Sequence, residues 1–367
     1  MRLEAGTALD PTRAPPRPRQ GFAPAWRGAA PASESSLSSG SPGRRVRVTG
    51  VTPEAGCPTQ VMAPAPAIPE ARRRGGRRRK GPAMRVHHLN CGTDCPVGGA
   101  LFDGRSLGPL GRLVCHCLLI EHDSGLILVD TGYGLKDVAH PHRPPNPRIT
   151  RVMRTMLNIR LREQETAVRQ IEALGFSASD VRHILLTHLD FDHAGGLEDF
   201  PSAAIHVMAR EFEAATGPRR GFVPRNRYRP SQYDEVRDWQ LHAGPSGEPW
   251  FGFEAVRGLE GLPPEILMVP LPGHTWGHAG IAVDRGSDGW LLHAGDAYFY
   301  RHEVRRPGRK CTPGLRAYQT MMEVDRERRL ANQARLRALS VDRAADVKLI
   351  CAHDPVELEA CRTGRPL

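Results

Sequence analysis

Short apolar runs recur along residues 84–367, and glycine, proline or polar clusters bound most of them. Runs of about four to eight apolar residues between such turn signals are typical of strands, whereas helices need longer periodic segments. The strands predicted in this way are 113–120, 126–129, 184–187, 204–208, 266–270, 280–283, 290–293 and 347–351. A further run that begins at Met84 has the character of a first strand of the same domain.

Two segments between these runs carry a helical period. Over residues 162–174, Val168, Ile171 and Leu174 fall on one face, and Gly175 follows as a stop signal. Residues 315–339 form a longer, arginine-rich pattern that precedes the last predicted strand. Strands with helices at intervals predict one α/β domain over residues 84–367, which is long enough to bury a sizeable core.

Residues 1–83 differ in composition from the rest of the chain. They hold 13 of the 33 prolines and carry 15 basic against 5 acidic residues, so they contribute +10 of the net charge of +11. Such a segment cannot bury enough apolar surface to offset its ordering entropy, so we predict a disordered basic leader over residues 1–83. Three interpretations stay open: an electrostatic arm for nucleic acid or anionic lipid, a dispensable tail, or a chain whose natural start is Met84. A targeting segment is disfavoured by the glutamates and the 13 prolines.

The charge balance of residues 84–367 bears on the partners of the domain. With the leader set aside, basic and acidic residues nearly cancel, so the domain offers no surface that would follow a phosphate backbone. We therefore expect a small-molecule substrate, and contact with nucleic acid at most from the leader. No apolar stretch approaches the roughly 20 residues of a membrane helix, and no apolar signal-peptide core follows Met1, which predicts a cytoplasmic protein.

The segment 187–196 holds the candidate chemistry. Four metal-competent side chains, His188, Asp190, Asp192 and His193, fall within six residues directly after the apolar run 184–186. Alternating positions at a strand end share one face, and the turn that follows directs Asp192 and His193 to different places, which suits two metals better than one. Mixed imidazole and carboxylate ligands fit zinc, iron or manganese without a thiolate.

A two-metal site needs more ligands than this segment holds. Further polar residues follow apolar strands in four short motifs, namely Asp130 in D-T-G, His274 in G-H-T, Asp296 in G-D and a late His353. The order of these motifs resembles the metallo-β-lactamase superfamily, whose H-x-H-x-D-H motif has a second histidine where this chain has an aspartate at position 190. The resemblance covers residues 84 to about 355.

The resemblance implies a metallo-β-lactamase-like αββα sandwich that binds two divalent metal ions. The implied ligands of the first metal are His188, Asp190 and His274, and those of the second are Asp192, His193 and His353. Asp296 is implied to bridge both metals, and Asp130 to orient ligands through hydrogen bonds without binding metal. Asp192 and Asp296 are the implied catalytic residues.

Asp190 leaves the metal identity open. Zinc is the expected metal, since it accepts carboxylate oxygen at about 2.0–2.2 Å. Iron and manganese are the alternatives, because a carboxylate adds negative charge and a harder oxygen ligand than imidazole. A third interpretation is that the short side chain of Asp190 leaves the first metal weakly held.

The function implied by the resemblance is hydrolysis by a hydroxide shared between the two metals, which would cleave an ester, lactone or related bond of a small molecule. The domain resembles the N-acyl-homoserine lactonases and their relatives more than it resembles the class B β-lactamases. Those enzymes carry a tyrosine three residues after the bridging aspartate, where this chain has Phe299 between Tyr298 and Tyr300. The alternatives are a metal-dependent nuclease or phosphodiesterase, a diiron oxidoreductase, and a metal-binding module without turnover.

Three other features have interpretations of their own. Residues 217–264 carry arginines together with aromatic residues, and these arginines include Arg219, Arg220, Arg225, Arg227 and Arg229. They either bind an anionic or lactone-like ligand or pack a long surface excursion. Cys115 and Cys117 alternate on a predicted strand and are expected to pack as small buried side chains. His278 is expected to pack behind the site without binding metal.

Overall fold

The computed structural model describes residues 45–49, 84–142, 144 and 146–367, which are organised around two β-sheets. The strands are β1 Arg45–Thr49, β2 Arg85–Asp94, β3 Leu113–His122, β4 Gly125–Val129, β5 Ile159–Arg160, β6 Val181–Leu185, β7 Ala204–Met208, β8 Asp238–His242, β9 Ile266–Pro270, β10 Ala279–Asp284, β11 Trp290–His293 and β12 Val347–Ile350. The helices are α1 Ala100–Asp103, α2 Leu135–Ala139, α3 Arg151–Leu157, α4 Ala167–Ala173, α5 Ala209–Thr216, α6 Phe222–Arg227, α7 Pro313–Met322, α8 Arg326–Asp342 and α9 Pro355–Thr363.

The two sheets combine parallel and antiparallel strands. The larger has the order β1-β8-β7-β6-β4-β3-β2-β5, in which the first five strands run parallel and the last three are antiparallel to their neighbours. The smaller has the order β12-β11-β10-β9, with β10 antiparallel to both of its neighbours and β11 parallel to β12. Within each sheet, several strands therefore end at the same edge.

Alternation within the strands builds the layers. In β3, Leu118 belongs to the core between the two sheets, whereas its neighbour Leu119 belongs to the core shared with α3 and α4. On the far face of the smaller sheet, α8 contributes Leu336 to a third buried cluster. Each such side chain stabilises the fold by about 1.5–3 kcal/mol through burial. The result is the αββα sandwich that the sequence predicts.

All eight predicted strands are present, with ends that shift by a few residues, and the run that begins at Met84 is β2. The sequence analysis missed β8, whose residues Asp-Trp-Gln-Leu-His resemble a polar loop. Trp239 and Leu241 of β8 are nonetheless buried in the core shared with α3 and α4. Two apolar residues at alternating positions were too short a signal to separate this strand from its loop.

The helical pattern over residues 315–339 is two helices and not one. Between α7 and α8, the N–H groups of Val324 and Asp325 each donate to the carbonyl of Gly273 at 3.0 Å. Asp325 then caps α8, because its side chain accepts from the N–H of Arg328. The break depends on an acceptor about fifty residues away in the chain, so the local arginine-rich period could not reveal it.

Arg45–Thr49 depart from the prediction of a leader without regular structure. They pair in parallel with β8, and the register sets Val46 opposite Trp239. All five side chains of β1 are exposed, so the strand is held by backbone pairing with an open sheet edge and not by burial. The other residues of 1–83 lie outside the described residues, and the domain boundary at residue 84 stays a prediction.

Two further expectations concern membranes and cysteines. Among the residues that the structure describes, no helix has both the length and the apolar character needed to cross a membrane. Cys115 and Cys117 are buried in the core as free thiols, as their alternation on β3 indicates.

Candidate metal centre

The seven predicted ligands lie just beyond strand ends at one edge of the sandwich. In the larger sheet, β6 leads to the loop that holds four of them, from His188 to His193, and β4 leads to Asp130, which is predicted to orient ligands. In the smaller sheet, β9 leads to His274, β11 to Asp296 and β12 to His353. A rigid scaffold thus brings together side chains that are far apart in sequence. All seven predicted ligands are buried.

His188, Asp190 and His274 form a first group beside Asp296. Oδ2 of Asp190 lies 3.1 Å from Nε2 of His274 and 3.5 Å from Nε2 of His188. Oδ2 of Asp296 lies 3.3 Å and 3.7 Å from the same two nitrogens. Two imidazole nitrogens and two carboxylate oxygens therefore face one another.

Asp192, His193 and His353 form a second group on the other side of Asp296. Oδ1 of Asp296 lies 3.0 Å from Nε2 of His353 and 3.3 Å from Nε2 of His193. Oδ2 of Asp192 lies 3.7 Å and 4.0 Å from these two nitrogens. Nε2 of His353 also lies 3.2 Å from Oδ2 of Asp296. The carboxylate of Asp296 therefore lies between the two groups, with Oδ2 beside His188 and His274 and Oδ1 beside His193.

The centre has buried polar atoms without a hydrogen-bond partner, and a bound cation would satisfy them. Nε2 of His188, Nε2 of His193 and Oδ1 of Asp296 are buried without a hydrogen-bond partner. Leaving a buried polar atom unsatisfied costs about 1–3 kcal/mol, and these three lie close together. A set of imidazole nitrogens and carboxylate oxygens fits a divalent zinc, iron or manganese ion. The residues present therefore suit a metal.

Asp130 holds the loop that carries the first predicted ligands. Its carboxylate accepts from the N–H of Thr187 at 2.8 Å, from the hydroxyl of Thr187 at 2.7 Å and from Nδ1 of His193 at 2.8 Å. A hydrogen on Nδ1 of His193 leaves Nε2 free as a lone pair toward Asp296. Asp130 has a φ of 55°, a left-handed conformation that aspartate and asparagine tolerate better than most residues.

Other ring nitrogens are fixed in the same way. Nδ1 of His353 donates to the carbonyl of Val114 at 2.8 Å, which turns its Nε2 toward Asp296. Nδ1 of His278 donates to the carbonyl of Leu271 at 3.1 Å, and its Nε2 accepts from the N–H of Asp296 at 2.9 Å. His278 therefore positions Asp296 from behind, as the sequence predicts.

Gly295 allows His278 and Thr187 to lie close to the main chain beside Asp296. Its φ is 52°, and a Cβ at this position would lie 2.6 Å from Nε2 of His278 and 2.9 Å from Cβ of Thr187. No side chain fits there without moving one of the two supports of the site.

Arg227 is a site residue that the sequence analysis did not identify as such. It is fully buried, and its Nε lies 3.1 Å from Oδ1 of Asp190 in an ion pair. Its Nη1 donates to the carbonyl of His274 at 2.9 Å, and its Nη2 donates to the carbonyl of Met322 at 2.8 Å. By contrast, Arg229 donates to the carbonyls of Pro147 and Arg225 and packs the surface excursion. The additional negative charge of Asp190 was the signal in the sequence that pointed to a positively charged side chain nearby, although not to Arg227 in particular.

Glu211 is a second residue that the sequence analysis missed. It is fully buried at the start of α5, and its carboxylate accepts from the N–H of Leu189 at 3.0 Å and from the N–H of Gly277 at 3.1 Å. Leu189 lies between two predicted ligands, and Gly277 follows His274 by three residues. Glu211 therefore ties together the two loops that build the first group.

Three more buried groups border the second group. The thiol of Cys115 is close enough to Asp192 and His353 for all three to approach one ion. Asp94 accepts from the hydroxyl of Tyr133 at 3.1 Å. Burial and the negative charge of Asp192 raise the pKa of Asp94 to about 7.

The charges of the centre shift its pKa values in opposite directions. Burial lowers the pKa of His274 to about 4, and the charge of Arg227 acts in the same direction. Burial also opposes a proton on His353, but Asp296 and Asp192 raise its pKa to about 9. Burial would raise the pKa of Asp190, yet the guanidinium of Arg227 holds it well below its usual range. Asp190 is therefore an ionised carboxylate with a buried partner.

The fold and this centre define a class of protein. Residues 110–340 match the metallo-beta-lactamase superfamily, and the chain belongs to that family. Members of the superfamily bind divalent metals, and the chain is a metal-dependent hydrolase.

Curated relatives agree with this membership. The chain is 43% identical over 277 residues to a probable metallo-hydrolase of Mycobacterium tuberculosis, an alignment that covers 75% of this chain and 82% of the relative. It is 26% identical over 218 residues to an N-acyl homoserine lactonase of Bacillus thuringiensis, with 56% of this chain and 74% of the relative covered.

Solved structures share the fold. An AiiA lactonase variant from B. thuringiensis with N-decanoyl-L-homoserine bound at its active site superposes with a TM-score of 0.56 at 20% identity, covering 76% of this chain and 97% of that chain. An N-acyl homoserine lactone hydrolase with the product N-hexanoyl-L-homoserine at its catalytic metal centre gives a TM-score of 0.56 at 21% identity, with the same coverage. At these identities the likeness concerns the fold alone.

Proposed function

We propose that this chain is a dinuclear metal-dependent hydrolase that cleaves an ester, lactone or related bond of a small molecule. The observation that carries the proposal is the position of Asp296, whose carboxylate lies 3.0–3.7 Å from a ring nitrogen of each of four histidines, two from each group. One carboxylate between two such groups suits a pair of ions better than a single ion. His188, Asp190 and His274 would hold one ion, and the second group would hold the other.

Two divalent cations bound there would polarise the scissile oxygen of the substrate and make a water nucleophilic at neutral pH. The chain's own residues supply the rest. Oδ2 of Asp192 borders the second group and can accept a proton from that water. Asp94, whose pKa of about 7 lies near the neutral range, can hold the proton within its hydrogen bond to Tyr133. We expect zinc, with iron or manganese as alternatives.

The lactonase-like relatives favour lactones and esters as the first substrates to test. Phe299 stacks on His353, with ring centroids 4.8 Å apart, and so lines the centre without a hydroxyl. Its neighbour Tyr298 donates to Glu357 and is turned away. Tyr318 packs against the ring of Phe299 at 5.8 Å. Burial and the charges of Asp192 and the other carboxylates raise the pKa of Tyr318, so its hydroxyl stays protonated near the centre.

Metal analysis of the purified chain is the first test. We expect about two zinc ions per chain, and removal of metal with a chelator should abolish turnover. Two irons would favour a diiron oxidoreductase. A metal-free protein whose behaviour is unaffected by chelators would refute the proposal.

A substrate panel and one variant complete the test. Lactones, thioesters, phosphodiesters and β-lactams should be compared, and lactones or related esters should be turned over fastest. Asp296→Ala should lose both metals and all turnover, whereas Asp123→Ala, in the exposed turn after β3, should behave as wild type. Unchanged metal content and activity in Asp296→Ala would contradict the bridging role.

A further inference from the structure

The first group contains one carboxylate more than the family pattern requires. Asp190, Asp192 and Asp296 converge within a buried volume, and Asp130 adds a fourth carboxylate behind His193. A third carboxylate among the ligands would make two bound cations less positive and the water between them less acidic. A site of this kind needs a compensating charge to keep a nucleophile available at neutral pH.

Arg227 has the geometry to supply that charge. Its side chain is fully buried, so solvent does not screen its charge. Nε lies 3.1 Å from Oδ1 of Asp190, which leaves Oδ2 as the oxygen that faces His188 and His274. Nη2 lies 3.3 Å from Nε2 of His274, so the guanidinium borders the donor atoms themselves. Two donations to main-chain carbonyls fix its plane.

We propose that Asp190 and Arg227 act as one neutral unit in place of a histidine, with Arg227 as a positioning residue and counter-charge for the first metal position. The guanidinium forms an ion pair with Oδ1 of Asp190 and leaves Oδ2 as the oxygen toward His188 and His274. It also restores the net charge that the centre would have with an imidazole at position 190. This inference rests on the proposed two-metal function.

Pairing of Asp190 with Arg227 predicts how substitutions of Arg227 change the melting temperature and the pH–rate profile. Arg227→Met leaves Asp190 unpaired, so the metal-free protein should melt at a lower temperature than wild type, and added zinc should raise its melting temperature more. In the metal-loaded protein, the pH–rate profile should move to higher pH by about one unit or more, because a buried positive charge beside the first group is lost. Arg227→Lys keeps the charge but not the planar fork, so its profile should stay near that of wild type.

A double variant separates this role from a structural one. Asp190→His alone leaves Arg227 as a buried cation without a carboxylate, so the first metal should be lost and the metal-free fold weakened. Asp190→His combined with Arg227→Met should recover about two zinc ions per chain and a pH profile near that of wild type. If Arg227 served only to hold α6 in place, adding Asp190→His to the Arg227→Met protein would not restore its metal content or its pH profile. Arg229→Met, from the same segment, is the matched control and should leave metal content and profile unchanged.

Three outcomes would overturn the inference. They are an Arg227→Met protein with the melting temperature and pH profile of wild type, an Asp190→His protein that keeps two metals without the second change, and a double variant no better than its single parents. A wild-type chain that binds no metal would refute the proposed function instead. The melting temperatures of the metal-free variants test the pairing of Asp190 with Arg227 in either case.

Discussion

Replacing Asp130 by asparagine tests whether the residue behind the ligands controls metal binding. The substitution keeps the size of the side chain and suits the left-handed backbone at φ 55°. It removes the negative charge and puts an amide nitrogen where one acceptor oxygen was. Either the donation from Nδ1 of His193 at 2.8 Å or one of the two donations from Thr187 must therefore be lost.

The expected magnitude follows from those contacts. A hydrogen bond that involves a charged group contributes about 1.5–3 kcal/mol. Residues that orient metal ligands typically change metal affinity by about 10–100-fold when replaced, which is about 1.4–2.7 kcal/mol. The two ranges agree, so we expect Asp130→Asn to weaken zinc binding at the second group by about one to two orders of magnitude. Asp130→Ala should cost about 1–2 kcal/mol more in unfolding free energy, because alanine is strained in this conformation.

Competition with a chromogenic zinc chelator would measure both affinities in the wild type and in each variant. Urea unfolding of the metal-free proteins would separate loss of folding from loss of metal binding. A control is Asn158, which has a φ of 50° at the end of α3, outside the centre. Asn158→Ala should weaken folding but not zinc affinity. Wild-type zinc affinity in Asp130→Asn would refute the reasoning.

Three further predictions follow from the same contacts. Glu211→Gln should lower zinc affinity at the first group, because one of the two main-chain N–H groups that donate to Glu211 would then face an amide N–H. Glu213→Gln, at an exposed position on the same helix, should leave zinc affinity unchanged. Zinc titration of both variants tests this prediction. Gly295→Ala should destabilise the fold by more than about 2 kcal/mol and lower metal content, as seen by urea unfolding and metal analysis, since its Cβ would overlap the support of Asp296. Burial lowers the pKa of His88 to about 3 and of His242 to about 4, so the unfolded chain takes up protons first as the pH falls below about 6.5. The contribution of these two histidines to the stability of the metal-free protein should therefore be fully present above that pH and decline toward pH 4. If a His88→Gln, His242→Gln double variant shows the same change of urea midpoint from pH 7.5 to 4.5 as wild type, this reasoning is wrong.

The sequence predicted what depends on local pattern. Strands with alternating or continuous apolar residues were recognised because burial on one or both faces imposes that pattern. The candidate ligands were proposed because they follow strand ends in short motifs with a fixed order, and the fold brings them together. Both kinds of signal lie within a few residues of the feature that they indicate.

Features that depend on distant partners could not be predicted. The break between α7 and α8 exists because the carbonyl of Gly273 accepts two N–H groups from it. The strand Arg45–Thr49 exists because β8 leaves an edge open, and its own side chains are exposed. Glu211 looks like any glutamate near the start of a helix, and only the fold brings it to two loops of the centre.

Asp190 shows why a candidate ligand and the residues around it must be interpreted together. An aspartate in place of a histidine, taken alone, favours a harder metal such as iron or manganese, because it adds charge and an oxygen donor. With Arg227 on its other oxygen, much of that added charge is offset before any metal binds. The preference for zinc expected from the family pattern then has no electrostatic reason to change. The identity of a ligand predicts a metal only when the charge behind that ligand is known, and here that charge comes from a residue 37 positions further along the chain.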